Sequence, residues 1–405
     1  MKVSLNPVRA NEPPSSNRHS KKVVGVSVTV CVFVSLLVGL VGFALGTRFQ
    51  YAAINKSNAL DFSELNEIYA TLNAKFDGKL DHTKLLQGAA TGMVAAAGDP
   101  YTVFMTASDA QSLTDDLSGQ FDGVGIELGQ NDKGQLEIVS VLDGGPAKAA
   151  GLRAQDIIAA INGENSLTWT PEKAVDKVRG QAGTTVKLTI VRDGVSKDYS
   201  LTRATVTNPS VNTEIKNDIG YIRISRFGDD TAKLTEQAAA DVKKAGVKGV
   251  ILDLRGNGGG YVDAAQAVAS LWLKSGTTIV QERSGSTVRD TVKASGDPTL
   301  LGMPTVVLID GGSASASEIV AGALRDNGAA KLVGEKSYGK GSVQELLSLS
   351  SGDKLKVTVA KWYTPKGVNI NGDGLKPDVA VPMTADQYNS GDDTQRTAAV
   401  EILNK

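Results

Sequence analysis

The stretch GGSASASEIVAGALRDNGAAKLVGEKSYGKGSVQ, residues 311–344, decides how this chain is read. Just before it stands Thr305-Val-Val-Leu-Ile309, short and β-branched enough to be a buried strand. Glu318 to Leu324 has helical character, with Ile319 and Ala323 on one face and Gly328 placed to end the helix. Ser313, Ser315 and Ser317 therefore fall where a buried strand turns into a helix N-terminus. Backbone N–H groups are unpaired at such a turn and an oxyanion is welcome, so it suits a hydrolytic nucleophile.

Composition narrows the choice of base. The 405 residues include two histidines, His19 and His82, both far upstream, and one cysteine, Cys31, inside an apolar run of membrane length. Cysteine catalysis is excluded, and a Ser-His-Asp arrangement would have to import His82 from a separate helical segment. Closer at hand is Lys340, in Tyr338-Gly-Lys-Gly-Ser-Val-Gln344. In an extended segment Lys340, Ser342 and Gln344 point to the same side, so an amine and an amide able to orient it share one site. A free lysine has a pKa of about 10.4 and is charged at neutral pH, but burial can lower that by up to about 3 to 5 units. Gly339 and Gly341 would let the backbone approach closely and seat the side chain inward. Ser-Lys pairs are an established variant of triad logic.

The combination of GSASASEI at 312–319, EKSYGKGSVQ at 335–344 and LDLRGNGGG at 252–260 resembles the carboxy-terminal processing peptidases, tail-specific serine proteases that use a Ser-Lys pair. The resemblance implies Ser315 as nucleophile, Lys340 rather than Lys336 as general base, and Gln344 as the residue that orients the lysine. It also implies an oxyanion hole built from the glycine turn, through Gly259 with Gly258 next in line, and from the amide of Ala316. Proline is common in the family where Gly258 stands, so a looser turn is expected here. Ser313 and Ser317 are read as turn and cap residues, Glu318 as a first-turn charge favoured by the helix dipole with a site residue as the alternative, and Lys336 as surface. A phosphate-loop reading of Gly334-x4-Gly339-Lys340 fails because Gly341 stands where Ser or Thr is required.

Upstream, short strands punctuated by glycine run from Gly119 to Arg203, with a helix opening at Thr170-Pro-Glu and ending by Gly180. The GPAKAAGL (145–152) and DIIAAING (156–163) pieces make this segment resemble a bacterial-type PDZ domain. Such domains add an extended peptide as a strand and hold its terminal carboxylate on backbone N–H groups. The resemblance places that role on Gly123, Val124, Gly125 and Ile126, with Val175 and Val178 facing the groove; the two valines are equally readable as core. Residues 50–118 read as helices, from Phe62, Leu65, Ile68, Tyr69 and again from Leu85, Leu86, Ala89, Met93, and suggest a packing or dimer-forming cap. His82 reads as a surface or capping residue, and Gly98-Asp-Pro-Tyr-Thr-Val-Phe104 is similar to a segment the family carries ahead of its PDZ domain.

The expected architecture is multidomain α/β: a cytoplasmic tail (1–22), a transmembrane helix (23–46), a helical segment (50–118), a β-rich PDZ domain (119–203), a crotonase-like α/β peptidase core with a central sheet (204–383) and a C-terminal tail (384–405). The membrane reading rests on 24 uncharged positions, Val23 to Gly46, preceded by Lys2, Arg9, Arg18, Lys21 and Lys22 against Glu12. A cleaved signal peptide is the competing reading of the same run. With 43 basic and 44 acidic residues, nucleic acid is not an expected partner. Expected partners are proteins or peptides with exposed C-terminal tails and the membrane, with association into a homo-oligomer open; no cofactor or metal is expected. Two other classes are weighed. A non-catalytic PDZ adaptor would need none of Ser315, Lys340 and Gln344, and a crotonase-like acyl-CoA enzyme would not explain a serine and a lysine in a secreted setting.

Overall fold

The computed structural model describes residues 60–384, 387 and 391–405. The expected tail and membrane span at 1–46 lie outside those residues. Among the described residues no helix is long and apolar enough to cross a membrane. The chain divides into a unit through His82 and a unit from Thr83 onward.

In the first unit, α1 (Ser63–Lys75) buries no residue, and Leu65, Ile68 and Tyr69 are exposed along it. His82, the first residue of α2 (His82–Ala95), faces Tyr69, whose hydroxyl lies 3.1 Å from His82 Nδ1. In the second unit the region expected to be helical is interrupted by β1 (Val103–Met105), before α3 (Ala107–Ser118) starts at a Thr106/Asp109 capping box. Three apolar residues carry too little periodicity to mark a strand from sequence.

The PDZ unit comprises β2 (Gln120–Gly123), β3 (Ile126–Gln130), β4 (Leu136–Val141), the single turn α4 (Pro146–Ala149), β5 (Ile157–Ile161), β6 (Glu164–Asn165), α5 (Pro171–Val178), β7 (Thr185–Arg192), β8 (Val195–Thr202) and β9 (Ala204–Thr207). Its sheet runs β3-β4-β5-β7-β8, which leaves β3 at an edge with α5 against it. Leu136, Ile138, Ile158, Leu188 and Ile190 fill the core. β2 and β9 form a separate antiparallel ribbon through which the chain enters and leaves the unit.

The core begins with β10 (Val211–Lys216), whose polar composition resembles that of a linker. Five of its six side chains are exposed, because it is the antiparallel edge of the central sheet. β11 (Ile219–Ile224), α6 (Thr231–Ala245), β12 (Gly249–Asp253), α7 (Val262–Ser270), β13 (Thr278–Ser284), β14 (Thr287–Lys293), β15 (Thr305–Ile309), α8 (Ala316–Asp326), β16 (Lys331–Gly334), β17 (Ser342–Ser348), β18 (Lys354–Tyr363), β19 (Val379–Ala380) and α9 (Thr394–Leu403) follow. The central order is β10-β11-β12-β15-β16-β19, parallel from β11 onward. Both faces are covered, which is why β12 and β15 are buried at every position and carry no polar side chain but Asp253 and Thr305. Val250, Leu252, Val307 and Ile309 turn to the main core, while Ile251, Val306 and Leu308 turn to a second cluster that includes Ala399 of α9. A second, antiparallel sheet, β1-β18-β13-β14 with β17 on β18, closes the other side.

The C-terminal residues, expected as a tail, form α9 and are tied down by charge as well as packing. Arg255 donates to Asp253 (Nη2–Oδ2 2.6 Å), to Asp393 (Nη2–Oδ2 2.7 Å) and to Gln395 (Nη1–Oε1 3.0 Å). Asp393 also caps α9 by accepting from the Arg396 amide at 2.8 Å. Burial works against the Asp393 carboxylate, but Arg255 and Arg396 outweigh it and hold the group below the usual range. Removing the arginine leaves Asp253, 1 % exposed, without its cation. Arg255→Met should therefore cost about 3 to 5 kcal/mol in urea unfolding, and Asp393→Ala, at a partly exposed position, about 1 to 2 kcal/mol. Because the Asp393 pKa is depressed by folding, its contribution is complete above the unfolded value of about 3.9. The Asp393→Ala deficit should shrink as pH falls below that value.

Candidate active site

β12 and β15 are neighbours and parallel, so the loops leaving their C-terminal ends meet. One is the glycine turn 255–260, the other the serine turn 310–315. Asp310 Oδ1 accepts from Gly256 N and Gly312 N, both at 2.9 Å. Ser313 donates its hydroxyl to Leu254 O, and Ser317 donates to Asn257 O, each at 2.8 Å. The outer serines thus bind the two turns together. Ser315, between them, is half-buried and sits at φ 54°, ψ −114°, a conformation costly for a residue with a side chain, by about 1 to 3 kcal/mol. A strained turn entering a helix is the geometry that presents a nucleophile.

Glu318 holds that turn. It lies in the first turn of α8, as expected, but is wholly buried rather than a solvated dipole partner. Its Oε2 accepts from Ser315 N and Lys340 N at 2.9 Å each; Oε1 accepts from Gly339 N at 2.8 Å and from the Ser337 hydroxyl at 2.5 Å. Burial pushes its pKa up against these donors, which pull it down. The Ser315-x-x-Glu318 spacing of a capping box was the available signal, though it carries no hint of the amides from residues 339 and 340.

Lys340 reaches the site on a loop that only glycine could form. A Cβ on Gly341 would stand 2.2 Å from Asn371 N, and Gly339 adopts φ 92° with Gly372 C 3.0 Å from where its Cβ would be. Lys340 is half-buried. Burial lowers the pKa of its amine, Lys356 lowers it further, and Glu318 opposes both. Gln344 lies on the same side as Ser342, as extended spacing predicts; its Nε2 donates to Ser342 Oγ and to Tyr101 O, both at 3.3 Å. Lys340 Nζ lies 5.6 Å from the centroid of the Tyr101 ring. Tyr101, more than 200 residues upstream, thus joins the site with no sequence signal of its role. Lys336 is exposed.

Gly259 packs against Ser315: a Cβ there would lie 2.7 Å from Ser315 Cβ and 3.0 Å from Ala316 N, at φ 102°. Its N–H donates to Asn257 Oδ1 at 2.9 Å, and Asn257 is itself fixed by Nδ2 donating to Ile224 O at 2.8 Å. Ala316 is buried at the start of α8, and Gly258 is exposed with open space around it. In the PDZ unit, Gly123 ends β2, and Ile126 begins the edge strand β3, packed on the core. Gly125, at φ 78°, accepts from Leu142 N at 3.0 Å. Val124 and Val178 belong to the PDZ core, while Val175 is half-buried.

A nucleophile elbow over a parallel sheet, joined to a PDZ unit, defines a PDZ-bearing serine peptidase. The family model of peptidase family S41 matches residues 218–381, a PDZ domain model matches 137–192, and the model described as the activating protease CtpB N-terminal domain matches 47–109. The chain is 33% identical to a probable CtpA-like serine protease of Staphylococcus haemolyticus, over 98% of this chain and 83% of that protein. It is 37% identical to the carboxy-terminal processing protease CtpA of Bacillus subtilis, over 80% of this chain and 69% of that protein. The chain belongs to this family of carboxy-terminal processing peptidases. Among solved structures it resembles a photosystem II D1 C-terminal processing protease at TM-score 0.51 and 31% identity, covering 80% of this chain and 88% of that one. An S41 protease structure from Bacteroides fragilis, at TM-score 0.56 and 19% identity, shares the fold over 82% and 92%.

The glycine geometry yields a controlled test. Gly341→Ala should displace the Lys340 loop and lower kcat/KM by about a hundredfold, as expected for an ångström-scale misplacement. Gly311→Ala, with open space around it, should leave turnover of the same peptide within about twofold.

Proposed function

We propose that this protein is a membrane-anchored endopeptidase that cuts near the C-termini of extracytoplasmic proteins by a Ser-Lys mechanism. The observation that carries the reading is the buried Glu318 carboxylate, which binds the backbone amides of both Ser315 and Lys340 and so fixes nucleophile and base on one anchor. Neutral Lys340 removes the Ser315 hydroxyl proton as the oxygen attacks the scissile carbonyl, then returns it to the leaving amine. Gln344 orients the amine. The oxyanion is met by the Ala316 amide at the head of α8 and by the Gly259 amide, which exchanges Asn257 Oδ1 for the substrate oxygen. Each such donor is worth roughly 3 to 4 kcal/mol in the transition state. Water then hydrolyses the acyl-serine by the same proton route.

The free edge of β3 beside α5 suits a substrate tail added as a strand, which the PDZ unit would deliver or use to gate the site. Anchoring is supported by the uncharged run 23–46, and the basic residues before it favour an orientation with the catalytic unit outside the cytoplasm.

Ser315→Ala should abolish cleavage while leaving the unfolding transition in place; comparing the C-termini of surface and secreted proteins in cells carrying either form reads the activity directly. In kcat/KM the neutral amine is the active form, so the rate should rise with pH through an acid limb lying below the free-lysine value of about 10.4. Retained cleavage by Ser315→Ala would defeat the assignment.

A further inference from the structure

The Asp99–Met105 segment precedes the PDZ unit, yet it is built into the wall of the catalytic centre. Asp99 accepts from Tyr101 N at 3.2 Å and from the Thr102 hydroxyl at 2.6 Å. Thr102 Oγ1 in turn accepts from Thr358 N of β18 at 3.1 Å, and β1 continues along β18 with Val103 opposite Lys356 and Met105 opposite Lys354. Tyr101 is therefore fixed by hydrogen bonds on both sides. From that position its ring lies 5.6 Å from Lys340 Nζ, and its carbonyl accepts from Gln344 Nε2 at 3.3 Å. One residue touches both the base and the side chain that orients it.

We infer that Tyr101 is a positioning residue for the peptidase reaction: its ring walls the Lys340 amine off from water and its carbonyl holds Gln344 in place. The inference rests on the Ser-Lys reading above. Two effects of the ring oppose each other. A π-face stabilises an ammonium, which would keep Lys340 charged, but 5.6 Å is close to the outer limit of about 6 Å for that interaction, where it is weak. Exclusion of water disfavours the ammonium and is the largest influence on this lysine. The second effect wins, so the ring favours the neutral base. The ionisable groups acting on the amine are Glu318 on α8 and Lys356 on β18, while Tyr338, on the loop carrying Lys340, and Asp99 act on the Tyr101 side chain. All remain when Tyr101 is replaced, so a change in the pH profile reports the ring.

The experiment is kcat/KM for a tail-bearing peptide against pH, using the full chain in detergent and the Tyr101→Phe, Tyr101→Ala and Lys340→Ala variants, each with its urea unfolding curve. Tyr101→Phe keeps the wall and the carbonyl and loses only the hydroxyl contact with Tyr338; its acid limb should stay in place. Tyr101→Ala admits water; its acid limb should move up by about one pH unit, giving about a tenfold loss at neutral pH that disappears above the limb. Tyr101→Leu replaces it should the alanine variant fail to fold. A uniform loss at every pH, or a limb that moves down, in a folded Tyr101→Ala chain overturns the inference while an inactive Lys340→Ala leaves the Ser-Lys reading standing. Full activity of Lys340→Ala overturns both.

Discussion

A single buried carboxylate ties the serine turn to the loop that carries Lys340. Glu318 has no exposed surface, and a charge in that position is tolerable only because four donors converge on its two oxygens. Three of those donors are backbone amides, and they come from turns separated in sequence: Ser315 on one side, Gly339 and Lys340 on the other. Bonds of this kind fix main-chain position rather than side-chain rotamer. The strained φ of Ser315 and the left-handed turn at Gly339 are conformations each segment would leave if untethered, and the carboxylate is what both are tethered to. Burial that raises the pKa of this group is the cost of placing a common anchor inside the protein.

The anchor is effective because the frame beneath it is rigid. β12 and β15 are buried on both faces and hydrogen-bonded to each other in parallel, so the turns at their C-terminal ends cannot drift apart. Ser313, Ser317, Asp310 and Asn257 then cross-link those turns. Arg255, the first residue of the glycine turn, reaches the far side of the sheet and is clamped by Asp253 and by Asp393 at the head of α9. The C-terminal helix and the glycine turn are in this way parts of one hydrogen-bonded system.

What the sequence made legible follows from these same features. Strands covered on both sides are built mostly of apolar residues, so Val250–Leu254, despite Asp253, and Thr305–Ile309 announce themselves. Turns with positive φ favour glycine, so Gly259 and Gly339 stand out, whereas Ser315 adopts φ 54° with nothing in its residue type to announce it. β10 stayed hidden because an exposed edge strand has the composition of a linker. Glu318 was placed correctly in the first turn, but a first-turn glutamate has the same sequence spacing whether it faces water or accepts amides from residues 339 and 340. Tyr101 was beyond reach for a simpler reason: its contacts with Lys340 and Gln344 depend on the pairing of β1 with β18, across more than 200 residues, and no local pattern encodes that pairing.

The PDZ unit is joined to the core by a narrow route, and that constrains any coupling between them. The chain enters and leaves through β2 and β9, paired along the ribbon from Gln120–Thr207 to Gly123–Ala204. At its base a Cβ on Gly119 would stand 2.7 Å from the backbone oxygen of Asn208, and one on Gly228 would stand 1.9 Å from Leu117 O. A second contact runs from Arg179, just past α5, to Asp116 on α3, at 3.0 Å. A bound tail can shift the core only to the extent that it binds differently to two arrangements of these contacts. α3 joins that contact to the neighbourhood of Lys340, because the chain runs from Asp116 back through Thr106 to the β1 strand and Tyr101.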